Sequence, residues 1–557
     1  MRVELDIDEA GGAAWSNRLP PFMPTRRRRP IDRFELAVLG VFALLSLWVI
    51  GVDLWQVVVH HRVWTKTDGV YIVDQMQYLS WIKSASQHLL TSNLFVVQPT
   101  AADYFQPAIT ISAGLTALGM APWLSVLLWK PVAVVCTFFA VRAYSRASLA
   151  GTWPRRAALV LGLFFGSFSI VNGSFSVVGD EFLAFLSWGY TFGLLAVALL
   201  VFALLAYDRA RRTGRRLWLA GILGGTTALL HPWQAELMVV ILVAAELVMW
   251  RVSGRRARAF KLPLVTLVLT GLPLLYYFIL GKTDPSWMHA RDASKHAFSI
   301  LSIGIGVVPL LIPAALGYRG RTPTFLAAVT RSWPLAAVFI WALSASQVSA
   351  TPLHAFDGIA IPLSVLAIQG VRGLGFARLP RPRAIGALLV AVLTIPGTAL
   401  LMHAVVGLAA PTQGNANFIT ADERSALGYL AHDPQKGAVL TRFYLGVAVP
   451  GATGRGTYVG DCLWSEPECL SRAYNVQQLW SGAFSKARAL RFVHSTGARF
   501  LLQDCNAPPT LARTLAPLTV SKRRFGCAAV YQLDAPGPPM YPLPDGRGYA
   551  PVRAAGS

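Results

Sequence analysis

Long apolar runs separated by short polar segments fill the first three quarters of the chain, and the last quarter loses that pattern. Runs long enough to cross about 30 Å of hydrocarbon are Phe34 to Val59, Leu124 to Tyr144, Ala157 to Val178 and Phe182 to Tyr207. They continue with Leu217 to Leu230, Ala235 to Trp250, Leu262 to Leu280, Phe298 to Leu316, Phe325 to Leu343, His354 to Val371 and Ile385 to Leu408. The pattern predicts roughly eleven spans, with a short pair on either side of His231-Pro232-Trp233. Pro107 to Met120 is only about fourteen residues and reads as a re-entrant or interfacial helix. From about Pro411 onward an ordinary polar and apolar mixture predicts a soluble domain.

In that domain, Ala421 to Ala431 and Lys486 to Ser495 have helical spacing. Ala438 to Thr441, Phe500 to Gln503 and Ala528 to Leu533 read as strands. After Asp534 the tail is rich in Pro and Gly and reads as disordered. The fold class is therefore an all-α polytopic membrane bundle with a small C-terminal extracytoplasmic α/β domain. Its expected parts are a basic cytoplasmic segment 1–33, a transmembrane domain 34–409 with a long first outer loop 60–123, the α/β domain 410–534 and the tail 535–557.

Composition agrees: 54% hydrophobic and 14% charged residues in a chain of 557 exclude one water-soluble globule. A net charge of +23 would suggest nucleic acid in a soluble protein, but the basic residues sit in short clusters between apolar runs. These are Arg26 to Arg29, Arg142 to Arg156, Arg209 to Arg216, Arg251 to Lys261, Arg319 with Arg321, and Arg372 to Arg383. Placed in the cytoplasm, they put the N-terminus inside and the C-terminus outside, with no nucleic-acid partner. The first span reads as a retained anchor, because it is too long for a signal-peptide core and no small-residue cleavage site follows it. Four of five cysteines, Cys462, Cys469, Cys505 and Cys527, fall in the C-terminal part, which suggests two disulfides in an oxidising compartment. Sequence order favours Cys462 with Cys469 and Cys505 with Cys527 among three connectivities; four reduced thiols is the alternative.

On that topology the acids of the outer side are Asp68, Asp74, Asp103, the pair Asp180-Glu181, Asp284, Asp292 and Asp357. Carboxylates beside a bilayer are costly to bury and tend to be functional or paired. Asp74, Tyr78 and Trp81 share one face of a helix expected to lie on the membrane. Asp74 is either the N-cap of that helix, worth about 1 kcal/mol, or a general base, worth about 10²- to 10⁴-fold in rate. Asp180-Glu181 either complements a helix dipole or contacts a metal or phosphate. Lys130 lies alone within a span, where it snorkels, pairs or holds a phosphate; Lys83, Lys282, Arg291 and Lys295 are alternatives for that last task. His231, before a proline, is a helix-end hydrogen bonder or a site residue. Glu236 lies near the outer end of its span, and Glu246 near the basic inner end reads as paired with arginine.

An N-inside bundle with an Asp74-x-x-x-Tyr78 helix in a long first outer loop, a second acidic site at Asp180-Glu181 and an outer C-terminal domain resembles the GT-C superfamily of integral membrane glycosyltransferases. It is most similar to the bacterial dolichyl-phosphate-mannose protein mannosyltransferase, aminoarabinose transferase and RgtA-like groups. There the first-loop acid is usually paired; here Gln75 replaces the second acid, which leaves metal dependence open and names no certain cofactor. The resemblance implies transfer of a sugar from a polyprenyl-phosphate donor to an extracytoplasmic glycan, lipid or protein acceptor at a bacterial plasma membrane. Asp74, with Asp180 and Glu181, would then be catalytic, and Tyr78, Lys83, Lys130, His231, Asp284 and Asp357 would contact substrate. A polytopic transporter or lipid flippase, or a GT-C-like scaffold without catalysis, are the alternatives.

Overall fold

The computed structural model describes residues 30–551 apart from 69, 99, 167–180, 254–259, 294–298, 320–323, 346–351, 412–414, 535–539 and 543–548. Among these residues, six helices are long and apolar enough to cross a membrane: Pro122–Ser148, Thr191–Thr213, Lys261–Thr283, Ile300–Gly317, Phe325–Ser344 and Pro382–Gly407. The helices Arg33–Ser46 and Trp48–His60 make a seventh if that pair, bent by 43°, is one span. The remaining four expected runs lie outside that group, one of them within an uninterrupted helix of 22 residues. Ala157 to Val178 begins as the helix Thr152–Phe164 and then leaves the described residues. Leu217 to Leu230 is a helix of 12 residues, Leu219–Leu230. Ala235 to Trp250 lies inside Pro232–Ser253, and His354 to Val371 is the 3-10 turn Pro352–Phe356 followed by Ala360–Gly373. The run from Phe182 is broken, because Thr191–Thr213 starts only after the four-residue helix Leu183–Leu186. Pro107–Ala117 is an 11-residue helix, too short to cross.

At one end of the bundle the basic clusters meet acids. Asp32 and Glu35 close a capping box on the first helix. Glu35 pairs with Arg142 and Arg146 at 3.0 and 2.6 Å, and Asp32 with Arg156 at 3.1 Å. Glu246 binds Arg211 at 2.9 Å.

The opposite end carries the C-terminal domain, a four-stranded sheet in the order Val439–Leu440, Phe500–Gln503, Ala528–Leu533, Thr519–Phe525, parallel in its first pair and antiparallel after it. Successive side chains alternate between two apolar cores, as the pleat requires. Val439, Phe500, Leu502, Ala528 and Val530 enter one, and Leu440, Leu501, Ala529, Tyr531 and Leu533 the other. Helices Ala421–His432 and Phe443–Thr453 cover the first face, and Cys469–Trp480 and Lys486–Ser495 the second. The cysteines pair as Cys462–Cys469 and Cys505–Cys527. The edge strand Thr519–Phe525 carries Lys522, Arg523 and Arg524 on an exposed edge, the charge placement that discourages further strand pairing. Of the tail, only Met540–Pro542 and Tyr549–Pro551 are described, and they pair antiparallel.

The domain is tied to the bundle at two places. Phe418–Ile419 pairs antiparallel with Val63–Trp64, and Asn417 joins Asp53 at 2.8 Å, Trp64 at 3.1 Å and Thr67 at 3.0 Å. The second tie is the first-loop helix Ile72–His88. It does not lie free on a surface: ten of its residues are buried. Tyr78, Trp81, Ile82 and Ala85 belong to the bundle core, while Met76 and Leu79 belong to the core under the C-terminal sheet. Phe443–Thr453 crosses it at Gly451, where a Cβ would stand 2.9 Å from that of Leu79, so only glycine admits this approach.

Candidate active site

Tyr71 is the cap residue of the first-loop helix, and Asp74 is its third residue, so Asp74 is not the N-cap and makes no cap bond. Its carboxylate stands in the first turn, where the helix dipole favours negative charge. Burial pushes the Asp74 carboxyl up to about 6, against the opposing pull of His354. The second neighbour is Asp461, contributed by the C-terminal domain; burial, and then the charge of Asp74, push it up to about 8. Asp461 Oδ1 accepts from the Leu463 amide at 2.9 Å. Its Oδ2 is buried with no hydrogen-bond partner among the described residues.

Asp461 reaches this place on the loop closed by Cys462–Cys469. Trp464 of that loop packs edge-on to Trp81 and Trp287, with ring centroids 5.3 and 4.8 Å apart. The Asn93 side chain donates to the Trp464 carbonyl at 2.8 Å, and the Ser465 hydroxyl to the Phe95 carbonyl at 3.0 Å. A residue near each end of the chain is thereby fixed at one site.

Beside Asp74 lies a second cluster, drawn from three helix ends. Tyr190 immediately precedes Thr191–Thr213, His231 occupies the break ahead of Pro232, and His354 lies in the turn Pro352–Phe356, which Asp357 directly follows on the way to Ala360–Gly373. The Tyr190 hydroxyl is 2.8 Å from His231 Nε2 and 3.4 Å from His354 Nε2. Its ring stacks on His354 at 5.5 Å with 6° between planes. His354 Nδ1 faces Asp357 Oδ2 at 3.4 Å. Gln234 donates to the His354 carbonyl at 2.6 Å and to Asp357 Oδ2 at 3.3 Å.

The remaining expected site residues are scattered. Lys130 is buried and spends its three donors on the Ser46 carbonyl at 3.0 Å, the Ser187 carbonyl at 2.7 Å and Asp68 at 3.0 Å. It is paired, and has no donor left for a phosphate. Tyr78 is buried against Phe192 and Trp81. Lys83 is nine residues beyond Asp74, about 13 Å along the helix, beside Gly454. Asp284 caps Pro285–Ala293 by accepting from the Trp287 amide at 2.9 Å. Glu181 is buried against the Ile300–Gly317 helix, where a Cβ on Gly306 would meet its carboxylate at 2.8 Å. Asp180 and Lys295 lie outside the described residues.

Sequence reasoning missed Tyr190, Gln234, His354 and Asp461. The spacing His354-x-x-Asp357, in a chain with only 10 histidines, was the one available signal. It also missed Lys66, which rims a small cavity of about 20 Å³ lined by Ile50, Trp64, Asp68, Trp123 and Leu127. Lys66 stands 4.6 Å over the Trp123 ring, and its φ of 73° is unusual for a residue with a side chain.

No family model and no curated protein matches the chain by sequence. Solved structures do match. The apo oligosaccharyltransferase of Archaeoglobus fulgidus is similar over 85% of this chain and 69% of its own, at 13% identity and a TM-score of 0.54. The same enzyme tethered to an acceptor peptide is similar over 94% and 74%, at 12% identity and 0.51. An arabinofuranosyltransferase from Mycobacteria is similar over 90% of this chain but 42% of its own, at 15% identity and 0.55. At such identities the likeness is one of fold, shared with the oligosaccharyltransferase and the arabinofuranosyltransferase.

Proposed function

We propose that the chain transfers a sugar from a polyprenyl-phosphate donor to a hydroxyl of a glycan, lipid or protein acceptor, on the non-cytoplasmic side of a bacterial plasma membrane. The observation that carries this reading is Asp74: a carboxylate near neutrality, on a helix held between bundle and C-terminal domain, in a GT-C fold. Asp74 accepts the proton of the acceptor O–H as that oxygen bonds to the anomeric carbon. The bond from that carbon to the phosphate oxygen breaks, and polyprenyl phosphate leaves with the electron pair. A single displacement inverts the anomeric configuration. Asp461 stays protonated at neutral pH, so Asp74 carries the only charge of the pair, the separation of roles that suits an acid–base site.

Lys66, over the Trp123 ring, supplies for the departing phosphate the cation that Lys130 cannot. The test is sugar release from radiolabelled polyprenyl-phosphate mannose, glucose and arabinose by the protein in lipid nanodiscs, with an envelope extract as acceptor. Turnover that Asp74→Asn abolishes, with donor binding retained, is the expected result. Consumption of no donor by the unmodified protein overturns the reading in favour of a transporter or scaffold.

A further inference from the structure

The Tyr190, His231, His354 and Asp357 cluster has a chemistry that sugar transfer does not use. His231, His354 and Asp357 each present one ligand atom, and these atoms lie within 4.8 Å of one another. His231 comes from a helix end and His354 and Asp357 from one turn, and His231 and Asp357 are almost wholly buried. Three atoms here have no hydrogen-bond partner among the described residues: His231 Nδ1, Asp357 Oδ1 and Gln234 Oε1. Leaving such groups unmade in a protein interior costs about 1–3 kcal/mol each.

The distances point the same way. A charge-assisted bond between imidazole and carboxylate closes to roughly 2.7–2.9 Å, yet His354 Nδ1 stands 3.4 Å from Asp357 Oδ2. Donor atoms about 2.0–2.2 Å from a tetrahedral ion are about 3.4 Å from each other. Both Nε2 atoms are directed at one hydroxyl, that of Tyr190. A ligating histidine characteristically turns one nitrogen to the metal and fixes the other with a hydrogen bond. Gln234 supports Asp357 from behind.

We propose that His231, His354 and Asp357 form a binding site for one divalent transition ion of the zinc class, oriented by Tyr190 and Gln234. Two imidazoles and one carboxylate suit zinc over magnesium or calcium, which prefer all-oxygen shells. The ion ties together the ends of Leu219–Leu230, the turn Pro352–Phe356 and the start of Ala360–Gly373. The site lies beside Asp74 without using it as a ligand, and the presence of the ion is read without turnover, so the proposal stands or falls independently of the glycosyl-transfer reading.

The test uses the full chain in nanodiscs, incubated with zinc, dialysed and measured by elemental analysis and zinc-edge X-ray absorption. About one zinc per chain, with scattering from two imidazoles and no sulfur, is expected. Tyr190→Phe weakens zinc affinity by about 10- to 100-fold and Asp357→Asn abolishes stoichiometric binding, with both variants eluting as the unmodified protein. A metal-free protein after zinc incubation, or bound zinc with sulfur or only one imidazole in its shell, overturns the proposal. The absorption measurement needs no variant, so a variant that fails to fold does not rescue it.

Discussion

The first-loop helix Ile72–His88 and the last long helix of the bundle, Pro382–Leu408, relate polarity and burial in opposite ways. The first is rich in polar residues, with Gln75, Gln77, Ser80 and Ser84, and all four are buried. The second has a mean hydropathy of 2.2 over its most apolar window, and only 17% of that window is buried inside the protein. Thr191–Thr213 has nearly the same hydropathy, 2.1, yet is 78% buried. Hydropathy therefore reports which helices lipid can accept, and burial reports which ones protein surrounds. A polar helix enclosed on both sides is where this fold holds the Asp74 carboxyl. An apolar helix facing outward is supported by the bilayer.

The comparison is tested most severely at Asp74. Asp74→Asn removes the base while keeping the helix, and we expect transfer to fall by about 10²- to 10⁴-fold with donor affinity unchanged in an equilibrium binding assay. A variant that keeps full turnover would reduce the polar helix to a joint. The next effect is on stability. Leu79→Ala opens space between that helix and Gly451, and costs about 2–5 kcal/mol, read as a lowered thermal midpoint with the C-terminal domain cleaved first by protease.

The third effect is on pH. Burial raises Asp74 to about 6, so the carboxylate gains its proton as pH falls through that value and the base is lost. Turnover should be flat above about pH 6 and drop roughly tenfold per unit below it. Asp461 is still protonated there, so Asp461→Asn leaves this acid limb in place. An acid limb near 4 would mean that Asp74 is in contact with water. The smallest effect belongs to the outward helix: Leu388, 64% exposed, should tolerate Leu388→Ala within about 0.5 kcal/mol, measured as an unchanged midpoint in nanodiscs.

The long apolar runs showed the bundle because crossing hydrocarbon demands uninterrupted length, and six of them are helices of that length. Lys486–Ser495, Phe500–Gln503 and Ala528–Leu533 were legible to the residue, since the helix repeats one apolar face and each strand is a short apolar run buried on both sides. The strand Thr519–Phe525 was not, because an edge strand with Lys522, Arg523 and Arg524 exposed lacks that alternation. Asp74 was legible through its place after the first span. Asp461 and His354 were not, because their meaning comes from what packs against them across hundreds of residues. The same limit made Lys130 look like a free cation: nothing in its own span announces Asp68 or the carbonyls of Ser46 and Ser187.

The contact between Asn93 and Trp464 spans 371 residues of chain. At about 5–20 residues per second, the loop helix waits roughly 20 to 75 s after its own synthesis before the segment bearing Trp464 and Asp461 exists. Through most of that interval Met76 and Leu79 lack the C-terminal half of their core, Leu445, Val447, Ala448 and Val449. A translation interrupted before that point leaves a bundle with Asp74 in place and no Asp461 beside it.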